Sequence, residues 1–151
     1  MDGPEDRGIA ERCLLGFSTG PPMLPGGYNN NVQLFQTRDY VVMLLEMNHD
    51  ARIVPLDGRP QLPGGIRQWL GSSRGRWERN TLVVETTNFT DKIASFSGRV
   101  GATGFERGSG EHLRLIERFT RVDADTLVYE FTVHDAATFT RPFTEIGRAH
   151  V

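Results

Sequence analysis

Apolar residues recur along much of this chain with a period of two, the spacing of strands that turn one face inward. The cleanest stretch is "EHLRLIERFTRV", followed by the turn "DAD" and a second alternating run, "TLVYEFTV". Leu113, Leu115, Glu117 and Phe119 share one face of the first run, and Leu127, Tyr129, Phe131 and Val133 share one face of the second, which predicts a hairpin. Upstream, "VQLFQT", "YVVMLLEM" and "ARIVPL" are short apolar or alternating runs parted by "RD" and "NHD", and they predict three antiparallel strands. Leucine and methionine in Tyr40–Met47 also suit a helix, but the flanking β-branched residues favour a strand. "GRWERNTLVVETTNF" predicts another hairpin with "RN" at its turn, and "TFTRPFT" opens a further strand.

Loops separate these runs. "DGRPQLPGGIRQWLGSSRG" reads as a long polar loop with one helical turn at Ile66–Leu70, and "SFSGRVGATGFERGSG" as a glycine-rich loop. Residues 1–31, which include "STGPPMLPGGYNNN", form an irregular lead-in to a β domain over 32–144. Seven or eight strands with no long helix predict an all-β antiparallel meander, forming a barrel or a sandwich. No fixed-period repeat supports a propeller.

Composition narrows the partners more than the fold. The 151 residues make about one domain, with an apolar fraction of 38% and a charged fraction of 24%, ordinary for a soluble globular protein. A formal net charge of -2 argues against a surface given over to nucleic-acid phosphates. Lys92 is the only lysine, an arginine bias consistent with GC-rich coding. Cys13 is the single cysteine, so no internal disulfide forms, and "ERCLLGF" supplies no group to activate the thiol. No apolar run reaches the ~18 residues of a membrane helix, so no membrane partner is expected. The polar start "MDGPEDRGIAERC" lacks the layout of a signal peptide.

The densest candidate chemistry is "EMNHDAR". Glu46, His49, Asp50 and Arg52 suit an acid–base cluster in which Asp50 orients the imidazole and Arg52 holds an anion; a polar hairpin tip accounts for them more simply. Glu117 stands on an apolar face, where a carboxylate needs a functional reason, a cationic partner such as Arg52 or Arg141, or a bulge that turns it outward. Trp69 and Trp77 flank a loop rich in arginine and offer stacking faces for a sugar ring, or simple burial at strand ends. His49, His112 and His134 lack metal-ligand spacing, and no GxSxG elbow is present. "GRVGATG" lacks the Lys-Ser/Thr step of a phosphate loop. "NFT" matches a glycosylation sequon. Cofactor use is unconstrained.

"MLPGGYNNNVQLFQT", "EMNHDARIVPLDGRPQLPGGIRQWLGSSRGRWE", "TLVVETTNFTDK" and "ERFTRVDADTLVYEFTV" with "TRPFT" together resemble a large family of bacterial proteins common in soil Acidobacteria. The resemblance covers nearly all of residues 4–144. It implies a secreted, periplasmic or extracellular parent with a signal peptide and a further half-domain before this region, and a Cys-His-Glu-Gly-Asn segment after it. It implies no reaction. The family usually has Gly-Asp where this chain has Arg79–Asn80, and an aspartate at His134, which argues against a family-wide role for that imidazole. The final residues, EIGRAHV, fit neither the family nor the alternation. One coding string for them with a stop, GAG ATC GGA AGA GCA CAC GTC TGA, resembles from its second base a sequencing-library adapter. The expectation is therefore a metagenomic fragment whose residues 145–151 are a non-native tail.

Three functions fit these features. The first is a small-ligand or glycan-binding β domain using Glu46, Arg52, Trp69 and Trp77. The second is a hydrolase or lyase using His49 with Asp50 or Glu117. The third is a structural module that needs absent segments or a second chain, with an edge-strand dimer through Tyr129–Thr144 as its signature.

Overall fold

The computed structural model describes residues 3, 14, 20–25, 27–91 and 110–150. Cys13, the glycine-rich loop up to Ser109 and most of the lead-in lie outside the described residues. Eight strands follow one another: β1 Val32–Gln36, β2 Tyr40–Leu45, β3 Ala51–Pro55, β4 Ser72–Glu78, β5 Thr81–Thr87, β6 Arg114–Arg121, β7 Thr126–His134 and β8 Phe143–His150. Every ladder is antiparallel and joins strands adjacent in sequence. The alternation thus predicts the fold class correctly. The strands make a three-stranded sheet, β1-β2-β3, and a five-stranded sheet, β4-β5-β6-β7-β8, packed as a sandwich and not closed into a barrel.

Proline explains why the meander breaks between β3 and β4. Pro55 ends β3, and Pro60 and Pro63 remove further backbone donors from the following loop. That loop contains no helical turn at Ile66–Leu70. Gln68 instead bridges to Phe89, with its N–H donating to the Asn88 carbonyl at 2.9 Å. The Asn88 side-chain Nδ2 donates to the carbonyls of Leu62, Pro63 and Ile66 at 3.1, 2.9 and 3.0 Å, so one amide gathers the whole loop. Local donors and acceptors were better served by this clamp than by an isolated turn.

The β2–β3 connection is a short 3-10 turn at Met47–His49, with Asn48 and His49 both at positive φ. Arg79, first of the two residues joining β4 to β5, has φ +58°, a region that glycine enters at no steric cost. The hairpin Arg114–His134 has the expected faces: Leu115, Phe119, Tyr129, Phe131 and Val133 are buried in the common core with Met43, Val54, Leu82 and Val84. β7 is an interior strand, paired on both sides, so the unpaired edge expected at Tyr129–Thr144 lies instead on β8. β8 runs across residue 144 to His150; every residue after Phe143 is exposed, so residues 145–150 extend the ladder and add nothing to the core. No helix among the described residues is long and apolar enough to cross a membrane.

Gly75 on β4 lies directly under the opposite layer. A Cβ there would stand 2.7 Å from Leu56 Cδ2 and 2.8 Å from Val54 Cγ1, side chains of the opposite layer and its following residue. Overfilling a packed interface costs about 1–3 kcal/mol. Gly75→Val should therefore lower the thermal midpoint by several degrees, whereas Gly64→Ala, at a position open to solvent, should leave it within a degree or so; calorimetry of the two variants checks this.

Candidate functional site

The chain's most unusual chemistry lies between the two sheets. On the inner face of β6, Leu115 and Phe119 flank Glu117, which is 0% exposed. The inner face of β2 and β3 carries Val41, Met43, Val54 and, opposite Met43, Arg52. Period-two alternation on both layers thus aims a carboxylate and a guanidinium at each other across the core.

They meet as a two-pronged pair. Arg52 Nη1 donates to Glu117 Oε1 at 3.0 Å, and Nη2 donates to Oε2. The other guanidinium hydrogens are used as well: Nε donates to Ser73 Oγ at 2.9 Å, Nη2 to Thr86 Oγ1 at 2.7 Å, and Nη1 lies 4.0 Å from Met43 Sδ. All five donors of the fork thereby have an acceptor. Ser73 and Thr86, cross-strand partners on β4 and β5, share a hydrogen bond of 2.9 Å. The Tyr129 hydroxyl donates to Glu117 Oε1 at 2.8 Å and accepts from the Met23 N–H at 3.1 Å, which ties the lead-in segment to β7. Burial and the adjacent Glu117 charge push the Tyr129 phenol well above its usual range.

The remaining sequence candidates do not join this cluster. His49 is exposed at the hairpin tip and, among the described residues, hydrogen-bonds to neither Asp50 nor Glu117. Glu46 is exposed and accepts from the backbone N–H of Asn31 at 3.1 Å and its Nδ2 at 2.8 Å, fastening the start of β1 to the end of β2. Asp50 is half-buried; its Oδ2 is shut away from water without a partner, and burial raises its pKa. Arg52, expected to hold an external anion, is spent inside. Trp69 is half-buried before β4 and Trp77 exposed near the far end of that strand. The strand from Ser72 to Trp77 alone runs on the order of 15 Å at about 3.3 Å per residue, and no ring contact joins the two indoles among the described residues. Arg141 is exposed and plays no part in satisfying Glu117.

Ser73, Thr86 and Tyr129 were missed as site residues. Tyr129 carries a readable signal, because a phenol on an inward face needs a partner for its hydroxyl. Among the described residues no group of three or more His, Cys, Asp or Glu side chains is arranged to hold a metal ion. Neither a scan against protein-family models nor searches of curated proteins and of solved structures finds a match to this chain. What the site can do is therefore argued from its own geometry.

Removing one member of a buried pair strands the other, at a cost of about 3–5 kcal/mol, whereas replacing both by apolar groups is often neutral. Arg52→Met and Glu117→Leu should each destabilise the fold by that order, and the double variant should recover most of the loss in denaturant melts. Alkali gives an independent check. The folded Tyr129 pKa is raised above its unfolded value near 10, so its contribution is full below that pH and is lost as pH rises further. Stability should fall above pH ~10, and the fall should be shallower in Tyr129→Phe.

Proposed function

We propose that this chain is a binding module and not a catalyst: a β-sandwich domain of a secreted bacterial protein that takes a small ligand or glycan at its surface. The observation carrying this reading is the complete use of Arg52 and Glu117 by each other and by Tyr129, Ser73 and Thr86. Acid–base chemistry needs a carboxylate or imidazole within reach of substrate and of a partner. Glu117 is sealed in the core, and His49 is exposed with no hydrogen bond to Asp50 or Glu117 among the described residues. Trp77, 46% exposed on β4, is the exposed indole among the described residues, and an indole offers a sugar ring a flat apolar surface. The periplasmic or extracellular setting is supported by the family resemblance alone.

A second reading, a module that completes its sheet with another strand, is favoured by β1, all of whose residues are exposed.

Ligand binding raises the melting temperature in proportion to occupancy. A thermal-shift panel of sugars and organic acids should contain at least one compound that stabilises the wild type and His49→Ala but not Trp77→Ala. If no compound shifts the wild type, the ligand reading falls. If His49→Ala alone abolishes both the shift and turnover of the stabilising compound, the hydrolase or lyase reading replaces it.

A further inference from the structure

The two sheets differ in how they treat solvent. The five-stranded sheet turns outward a charged surface in which Arg76 and Arg118 pair with Glu78, and Arg114 with Glu85. The three-stranded sheet turns outward an apolar row, Phe35, Val42 and Ile53, in register across its strands, with Phe35 46% and Ile53 58% exposed. Among the described residues nothing covers its inner face at β1 either. Val32 and Leu34 lie opposite the buried Leu45 and Met43, and so share the core face, yet they are 37% and 46% exposed. Among the described residues no strand lies beyond β1.

What completes this edge must therefore be an extended strand, because it has to meet backbone N–H and C=O groups, and it must be uncharged with apolar residues on both faces. β8, one of the two edges of the other sheet, lacks that chemistry. It carries Glu145 on its inward row, opposite Phe131, a charge of the kind that discourages edge pairing, and Arg148 on the outward row. β1, "VQLFQ", has no charge, proline or bulge to protect it. Nothing in its sequence opposes pairing with itself. An antiparallel pairing about a two-fold axis at Leu34 sets Leu34 against its own copy, Val32 against Gln36 and Gln33 against Phe35, so no like charges meet across the ladder.

We infer that β1 is a self-association edge, pairing antiparallel with β1 of a second copy about a two-fold axis at Leu34 to make a continuous six-stranded sheet. The contact buries Val32 and Leu34 of both copies and brings the two outward apolar rows together. The inference rests on the sheet-completing reading and is independent of ligand binding at Trp77.

Sedimentation of the whole chain should show a concentration-dependent dimer, and Leu34→Lys should be monomeric with unchanged circular dichroism. Register is tested in a Cys13→Ser background with a short thiol crosslinker, since opposed Cβ atoms lie about 4.5–5.5 Å apart. Leu34→Cys should crosslink to itself. Gln36→Cys should not, but should crosslink when mixed with Val32→Cys. A wild type that stays monomeric at high concentration, or a dimer that persists in Leu34→Lys, overturns the proposal. Crosslinking of Gln36→Cys to itself as efficient as that of Leu34→Cys overturns the register. The sugar panel read on Leu34→Lys keeps the ligand question separate.

Discussion

One fully satisfied ion pair, Arg52 with Glu117, determines how the two sheets sit. Each charge is unaffordable alone in an apolar interior, so each sheet can close only with its partner in place and in register. A slip of one residue in either β3 or β6 would turn a charge to solvent and an exposed side chain inward. The hydroxyls of Ser73, Thr86 and Tyr129 take up the remaining valences. The core is consequently specified as well as filled, and the carboxylate of Glu117 is bound into it.

Much of that was readable before the fold was known, and for a physical reason. Strands of period two announce which residues share a face, so the inward aim of Glu117 followed from Leu113, Leu115 and Phe119. Its partner did not follow. Choosing between Arg52 and Arg141 needs the packing of one sheet on another, a relation between segments 65 residues apart in the chain. The pairing of Ser73 with Thr86 was closer to hand, because a two-residue link at Arg79–Asn80 sets that register. The helical turn expected at Ile66–Leu70 failed because local propensity in a short segment is weak beside a side chain that can organise several carbonyls at once.

The stretch Glu46–Arg52 shows how sequence proximity misleads at a hairpin. Its polar residues are adjacent in the chain, but alternation and the tip geometry send them to different places: Glu46 to the Asn31 backbone, His49 to solvent, Asp50 to a half-buried shoulder, Arg52 to the core. A cluster of titratable residues in one dimension becomes four separate environments. The outward face of the five-stranded sheet carries the ion pairs of Arg76, Arg114 and Arg118, whereas that of the three-stranded sheet carries the row Phe35, Val42 and Ile53.

The Asn88 clamp bears on how the protein is made. Asn88 is the first residue of the "NFT" sequon, and the nitrogen that gathers Leu62, Pro63 and Ile66 is the atom to which an oligosaccharide would be attached. In a eukaryotic secretory host, modification before folding would leave that nitrogen one hydrogen and a bulky substituent, and the loop joining the two sheets would lose its organising amide. A bacterial host spares the clamp.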